Sequence, residues 1–410
     1  MSGPSSDRPL PLEGVRVADF SWLIAGPATT RMLADFGAEV IKIESHARLD
    51  TIRLTGVHPT AEQTVDTNGV FNDCNTNKQS VLLNLGTPRG IGLAKEIIRR
   101  SDIVANNFTG DRMDRWGLGY EDLRAIKPDI IMLTMPVMGT TGPYIRYGSY
   151  GNGVIGYGGL RTNMGFPGRP PVGMAPLYSD FSTPYFAVSA LMAALIHRDR
   201  TGEGQFIDLA QMEATVALLG PAMLDYTANG HIEAPRGNRA LDAAPHGAYP
   251  CAGDDRWCVI AVRTDEEWRA LAEAMGRPEL ASDARFTTLA ARQASEDALD
   301  AEVAAWTAGL DAWELTHLLQ ARGVMAGVVE DLVDMVERDP HLPAQHFEGV
   351  SREDGGATFT THRQPGRLDG ASPPLRAAPR MGEHNEAVYR GLLGLSEDEY
   401  FRLMAEGVIH

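Results

Sequence analysis

Residues 15–44 read VRVADFSWLIAGPATTRMLADFGAEVIKIE, and this stretch decides the fold class. It joins an apolar run at 15–20 to a helical pattern at 28–36 and a second apolar run at 39–44. Apolar runs of strand length that alternate with helical patterns predict βαβ units, whose parallel strands share one sheet. The stretch therefore indicates an α/β protein.

The same alternation continues through the first third of the chain. Further runs of strand or helix type lie at 80–85, 88–100, 102–105 and 130–135. Thr87 and Pro88 supply an N-cap and a first-turn proline for the predicted helix over 88–100, and Lys127-Pro128 stops the helix that precedes the last strand. We predict a large Rossmann-like domain built on a parallel sheet.

The remainder of the chain predicts a second, smaller α/β domain. Residues 139–173 are rich in glycine, proline and tyrosine without clear periodicity, which is typical of a segment that lines a site. A helix predicted over 184–197 is apolar almost all round and should be buried. Polar sequence around 223–239 precedes a strand at 256–262 and a helix that begins with a capping box of Thr264 and Glu267. We predict a large domain over 1–222, completed by 325–410, and a smaller domain over 223–324.

Composition and charge exclude several classes of function. The 410 residues carry a net charge of −17, which disfavours binding to nucleic acid or anionic lipid. Three irregularly spaced cysteines predict neither a disulfide framework nor, with the eleven scattered histidines, a metal site. Because the start of the chain is polar and no segment has about 18 uninterrupted apolar residues, we expect a cytoplasmic protein without membrane contact.

Motifs for nucleotide binding and for hydrolases do not identify the function. Gly151, Gly153 and Gly156 spell GxGxxG, but the residues before them do not form an apolar strand, so the motif does not indicate a dinucleotide site. The chain has no GxSxG elbow and no phosphate-binding GxxxxGK[ST] loop. The glycines therefore favour a loop with another purpose.

Asp180 is the candidate catalytic residue. It lies just ahead of the helix predicted over 184–197, so one interpretation is that it caps this helix. Thr183 and Pro184 already provide a cap and a first-turn proline, which would leave Asp180 free for another role. The positive end of the helix dipole favours an ionised carboxylate, and such a group can attack a thioester to form a mixed anhydride. The residues alone leave both interpretations open.

An ordered set of motifs extends over nearly the whole chain, at 12–19, 25–27, 37–44, 75–78, 107–115, 117–123, 180, 200–205 and 382–385. Each motif is weak by itself, but the set in this order is specific. It resembles the class III CoA-transferases, also called the carnitine dehydratase and bile-acid-inducible protein family.

The resemblance implies that Asp180 is the acyl-carrying nucleophile. CoA would be moved from an acyl-CoA donor, with succinyl-CoA as one candidate, to a carboxylic acid through an aspartyl anhydride and an aspartyl-CoA thioester. Coenzyme A would be a substrate, with no permanently bound cofactor and no metal, and the protein would form an interlocked homodimer. The positions that match the family's CoA pocket are Ala25, Gly26, Asn75, Asn77, Lys78, Asn107 and Arg115, with Arg48 as a looser match.

Two alternatives remain beside this interpretation. An α-methylacyl-CoA racemase on the same scaffold would pair the aspartate with a histidine, but Ser149 and Tyr150 occupy that place and no histidine occurs from 59 to 196. A non-catalytic CoA-binding subunit of a heteromer is the other alternative, and the presence of Asp180 argues against it. Arg236 and Arg239 stand where some relatives have a run of glycines, and they would meet either an acidic substrate or solvent.

Overall fold

A computed structural model gives the fold and describes residues 9–56, 64–173, 177–352, 358–368 and 373–410. Its strands are β1 (Arg16–Asp19), β2 (Glu39–Glu44), β3 (Gln79–Leu82), β4 (Ile103–Asn106), β5 (Ile131–Thr134), β6 (Phe206–Asp208), β7 (His246–Pro250), β8 (Trp257–Ala261), β9 (Met325–Val329), β10 (Phe347–Val350) and β11 (Phe359–His362).

The α-helices of the described residues are α1 (Ala25–Asp35), α2 (Gly69–Cys74), α3 (Pro88–Arg99), α4 (Arg112–Arg115), α5 (Tyr120–Ile126), α6 (Gly151–Tyr157), α7 (Tyr178–Thr201), α8 (Gln211–Ala217), α9 (Gly220–Asn229), α10 (Asp265–Ala274), α11 (Leu289–Ala294), α12 (Glu296–Thr307), α13 (Ala312–Gln320), α14 (Leu342–Gln345) and α15 (Glu397–Ala405). Short 3₁₀ or π turns lie at Thr51–Arg53, Leu160–Asn163, Pro278–Ser282, Asp334–Arg338 and Ala387–Leu392. Within the described ranges, no helix combines the length and the hydropathy of a membrane span.

The predicted parallel sheet is confirmed. Six parallel strands follow the order β3-β2-β1-β4-β5-β6, with Val17 of β1 opposite both Val40 of β2 and Ile103 of β4. The strand order reverses direction between β1 and β4, and in open α/β sheets ligands bind in the crevice at the carboxyl ends of such neighbouring strands. The topology therefore points to the loops that follow β1 and β4.

Helices cover both faces of this sheet. Neighbouring residues of β1 point to opposite sides, so that Val17 and Ala18 belong to different apolar cores. The core of Ala18 contains Ile97 of α3, and the core of Val17 contains Leu191 of α7. The strands read as continuous apolar runs because both of their faces are buried.

The chain divides into two compact units. The first contains residues 1–161, 173–232 and 344–410, and the second contains 162–172 and 233–343. The second unit has an antiparallel sheet of order β7-β8-β9, and its core includes Trp268, Leu271, Phe286 and Leu315. The predicted capping box of Thr264 and Glu267 is present at the start of α10.

The bounds of these units differ from the division predicted at 223 and 324. Residues 223–232 belong to the first unit, because α9 extends to Asn229, and residues 325–343 belong to the second because β9 completes its sheet. The domain division from the sequence stays a prediction about independently folding parts.

The helix predicted over 184–197 differs from α7 in two respects. It begins at Tyr178, so Thr183 is not its cap and Pro184 lies inside it. No side chain caps α7, and the Oγ1 of Thr183 is buried without a hydrogen-bond partner in the described residues. The helix is also not buried all round, since Tyr185 and Ile196 are 55% and 52% exposed. The sequence pattern identified the apolar content but not which face the fold would cover.

Candidate active site

Asp180 lies in the first turn of α7, where its N–H donates to the carbonyl of Leu177 at 2.8 Å. The side chain points towards Gly151, the first residue of α6, which packs against α7. A Cβ atom on Gly151 would lie 2.2 Å from Oδ2 of Asp180 and 2.9 Å from Cβ of Leu177. Glycine is therefore needed at 151 so that the two helices can approach, and this gives Gly151 a role other than dinucleotide binding.

Burial sets the electrostatics of this carboxyl group. It raises the pKa of Asp180 to about 6, although the main-chain N–H groups of Gly151 and Asp180 act in the opposite direction. The helix dipole was expected to favour ionisation, but loss of water outweighs it. Among the described residues Oδ2 has no hydrogen-bond partner, and no cation forms an ion pair with Asp180. A carboxyl group with a pKa of about 6 is mostly ionised at pH 7, and its Oδ2 is buried without a hydrogen-bond partner in the described residues.

A cavity of about 420 Å³ borders the same end of α7. Tyr178, Phe181 and Tyr185 form one wall, and His362 of β11 lies on its lining together with Asp73 and Arg31. Nδ1 of His362 is 3.2 Å from Oδ1 of Asp73, and the guanidinium of Arg31 is 3.3 Å from the same oxygen. Burial would raise the pKa of Asp73, but His362 and Arg31 outweigh it and hold the pKa below its usual range.

A second cavity of about 360 Å³ opens at the carboxyl ends of the central strands. Its walls include the aromatic residues Trp22, Phe108 and Trp116 and the cations Arg48 and Arg112. The guanidinium of Arg48 lies 5.5 Å from the ring of Trp22, and that of Arg112 lies 5.7 Å from the ring of Trp116. Neither guanidinium pairs with a carboxylate of a described residue. Aromatic faces beside free cations suit a ligand that carries a base and phosphates.

Four of the residues predicted to bind CoA meet at this cavity or at the loop beside it. Arg48 lines the cavity. The side chain of Asn107 forms two hydrogen bonds with the main chain of Trp22: it accepts the N–H at 2.9 Å and donates to the carbonyl at 2.8 Å. Ala25 and Gly26 begin α1 directly after this loop, and a Cβ on Gly26 would lie 2.3 Å from that of Ser21. Gly26 and Asn107 therefore shape the loop.

The structure does not bring Asn75, Asn77, Lys78 or Arg115 to this cavity. Nζ of Lys78 is buried and donates to Asp19 at 3.2 Å, to Asn75 at 2.8 Å and to a main-chain carbonyl. Burial lowers the pKa of Lys78 to about 8, against the opposing charge of Asp19. The amide of Asn77 donates to Asp35 at 2.8 Å, and Arg115 is an exposed residue paired with Asp111 at 3.2 Å.

The sequence did not point to Trp22, Trp116 or Arg112 as cavity residues. Arg112 begins α4, three positions before the predicted Arg115, and this nearness was the sequence signal that could have identified it.

The sequence left the roles of Ser149, Tyr150, Arg236 and Arg239 open. Ser149 Oγ donates to the carbonyl of Tyr150, and Tyr150 is exposed. Within the second unit Arg236 pairs with Glu233, and Arg239 pairs with Glu296, Asp297 and Asp300.

The family model described as CoA-transferase family III matches residues 12–385. The chain belongs to this family. The resemblance inferred from the ordered motifs is thus confirmed, and the chain is a class III CoA-transferase for which CoA is a substrate.

Individual family III relatives match along almost their whole length. The succinyl-CoA–D-citramalate CoA-transferase of Chloroflexus aurantiacus is 37% identical over 408 residues, which cover 99% of this chain and 100% of that protein. The alpha subunit of the succinyl-CoA–L-malate CoA-transferase of the same organism is 32% identical, covering 100% and 95%. A CaiB/BaiF family protein from Brucella suis has a crystal structure that matches with a TM-score of 0.86 at 31% identity, covering 94% of this chain and 100% of that one.

Proposed function

We propose that this CoA-transferase moves CoA from succinyl-CoA to a small dicarboxylic acid, with Asp180 as the acyl-carrying nucleophile. The observation that supports this best is the partner-free Oδ2 of Asp180 in the first turn of α7, in a chain matched by the family over 374 of its positions from 12 to 385. Succinyl-CoA and the dicarboxylic acids citramalate and malate appear in the names of the two Chloroflexus relatives.

The reaction runs in four displacements that leave the enzyme unchanged. The carboxylate of Asp180 attacks the thioester carbonyl of the donor, so the C–S bond breaks and a succinyl-aspartyl anhydride and the CoA thiolate form. The thiolate then attacks the aspartyl carbonyl, which releases succinate and leaves an aspartyl-CoA thioester. The acceptor carboxylate attacks this thioester to form a second anhydride and free the thiolate again. Finally the thiolate attacks the acceptor carbonyl, which yields the new acyl-CoA and regenerates Asp180.

We assign the nucleotide part of CoA to the cavity of about 360 Å³. Trp22, Phe108 and Trp116 offer aromatic faces to the adenine, and Arg48 and Arg112 offer guanidinium groups to phosphates. A homodimer is part of the proposal, with the interlocked form taken from the family resemblance. The exposed apolar side chains of Tyr185, Phe186 and Ile196 on α7 give a second copy an apolar face to cover.

Substitution of Asp180 tests the function. Asp180→Asn and Asp180→Ala should each lower transfer from succinyl-CoA by about 1,000-fold or more, because the nucleophile is lost while the fold remains. With wild-type protein and donor, borohydride or hydroxylamine should modify the peptide that contains Asp180. The purified chain, sized by light scattering, should have twice the chain mass of 44.4 kDa.

Three results would contradict this proposal. One is normal turnover by either Asp180 variant, and another is labelling of a different carboxylate. The third is uptake of deuterium at the α-carbon of an acyl-CoA in the absence of any acceptor acid, which would support the racemase alternative. The racemase alternative needs a second base across the substrate from Asp180, and the absence of a histidine between 59 and 196 in the sequence counts against it.

A further inference from the structure

The loop between β1 and α1 contains a residue with a strained backbone. Leu23 has φ = +63°, in the left-handed region, where the Cβ of an L-residue crowds the neighbouring carbonyl. A leucine stays in this conformation only when its surroundings hold it there. Its neighbour Trp22 lines the cavity assigned to the nucleotide part of CoA, so the conformation of Leu23 sets the position of a cavity wall.

Asp50 holds Leu23 in this conformation. The N–H of Leu23 donates to both carboxylate oxygens of Asp50, at 3.1 Å each, and Asp50 is only 2% exposed. The carboxylate is itself fixed, because it accepts the N–H of Ile52 at 3.2 Å and lies 3.7 Å from Nζ of Lys42. An acceptor that is buried and fixed on several sides is well suited to oppose a local backbone strain.

The rest of the loop is held by other buried side chains. Asp19 accepts the N–H of Ser21 at 2.9 Å, and Lys42 donates to the carbonyl of Ser21 at 2.8 Å. Asn107 holds Trp22 from the opposite side through its two main-chain hydrogen bonds. Asn107 and Asp50 therefore hold the peptide between Trp22 and Leu23 from its carbonyl and its N–H, and of these side chains Asp50 alone accepts the N–H of Leu23.

We propose that Asp50 is a positioning residue for acyl-CoA, which acts by holding Leu23 in the left-handed conformation and thereby Trp22 against the bound substrate. This inference rests on the proposed function, since it needs the cavity to bind acyl-CoA. Asp50 accepts hydrogen bonds from the loop at Leu23 and lies near Lys42, and within the described residues none of its contacts is with Asp180. Its loss should therefore weaken binding of the donor more than it slows the chemical steps.

Rescue by glycine is the test of this role. Asp50→Ala should raise KM for succinyl-CoA roughly tenfold while kcat changes by less than about twofold, because Leu23 relaxes and displaces Trp22. Leu23→Gly removes the backbone strain, since glycine adopts a positive φ without cost, but it also removes a side chain that packs on the apolar cluster of Ile24 and Phe71, so it serves as the reference for the double variant. The double variant Leu23→Gly/Asp50→Ala should have a KM within about twofold of that of Leu23→Gly.

Asp102 offers a matched control. Like Asp50 it accepts a main-chain N–H, that of Arg16 at 2.7 Å, and pairs with a cation, Arg198 at 2.8 Å, but it lies at the amino edge of the sheet. Asp102→Ala should leave KM for succinyl-CoA unchanged. If Asp50→Ala does not fold, Asp50→Asn retains one acceptor oxygen and should give a smaller rise in KM that Leu23→Gly again removes.

Each result decides one proposal. An unchanged KM in a folded Asp50 variant overturns the positioning role, and so does a raised KM that glycine at 23 fails to restore. If the wild type transfers CoA while either of these results is found, the positioning role is wrong but the proposed function still holds. A wild-type protein that transfers no CoA between any acids would instead overturn the proposed function.

Discussion

Asp180 combines a raised pKa with an oxygen that no described residue hydrogen-bonds. Burial raises the pKa to about 6, which makes this carboxylate more basic than an ordinary aspartate while it stays ionised near pH 7. A more basic carboxylate is a better nucleophile towards a thioester, and no ion pair has to be broken before it attacks. The environment of this one residue therefore supports its proposed role as the nucleophile.

The pH dependence of the reaction should follow this carboxyl group. Only the ionised form attacks, so kcat/KM for succinyl-CoA should fall as the pH decreases through about 6, approaching tenfold per pH unit below it. Initial rates from pH 4.5 to 8 at fixed ionic strength would measure this. A profile that is flat down to pH 5 would contradict the raised pKa.

Stability provides an independent measurement of the same shift. The pKa of Asp180 is higher in the folded state than the 3.8 of an ordinary aspartate, so this group favours folding below about pH 4 and this contribution is lost as the pH rises through 6. At pH 8 Asp180→Asn should therefore raise the free energy of unfolding by on the order of 1–3 kcal/mol. The difference between the variants should shrink towards pH 4.

At the scale of elements, the contact between α6 and α7 positions Asp180, the proposed nucleophile. The start of α7 has no side-chain cap, and the packing of Gly151 against Asp180 and Leu177 defines its first turn. Pro184 lacks an N–H, so the carbonyl of Asp180 has no intrahelical donor four residues ahead. The catalytic turn thus depends on a neighbouring helix more than on its own sequence.

Two glycines of α6 give a matched pair of variants. Gly151→Ala should lower kcat by about 100-fold, because its Cβ would overlap Oδ2 of Asp180 and displace the carboxylate. Gly156→Ala adds the same methyl group to the same helix where no atom lies within 4 Å, so activity should be retained. Similar activities of the two variants, each confirmed as folded by circular dichroism, would show that the contact at Gly151 does not position Asp180.

At the scale of the whole molecule, the charge of −17 repels a substrate with several phosphates. Arg115, on the same short helix as Arg112, is paired with Asp111. Arg48 and Arg112 differ, because both line the cavity and neither pairs with a carboxylate in the described part of the chain. A few placed cations therefore have to overcome the repulsion of the whole surface.

This distribution of charge predicts different effects for two neighbouring arginines. Arg112→Ala should raise KM for succinyl-CoA by about tenfold, because it removes the guanidinium that we propose contacts phosphate. Arg115→Ala removes the same charge from the same short helix, but its KM should change by less than about twofold, since this guanidinium is exposed and paired. A larger rise in KM for Arg115→Ala than for Arg112→Ala would instead indicate that Arg115 contacts the phosphate, as the family resemblance implied.

The sequence by itself determined the parallel sheet, the smaller α/β unit and the candidacy of Asp180. These features depend on local patterns, such as the apolar runs of β1 and β2 and the caps at Thr87 and Thr264, which act within a few residues. The ordered motifs also determined the family, because they are a property of the chain and not of its folding.

Only the tertiary structure decided which of the motif residues face a cavity. Lys78 meets Asp19 across 59 positions and His362 meets Asp73 across 289, and no local pattern specifies such partners. The start of α7 at Tyr178 and the strain at Leu23 likewise depend on Gly151 and Asp50, which lie in other elements. Burial and pairing are set by groups distant in the chain, so a motif identifies a candidate while packing decides whether it binds substrate or supports the fold.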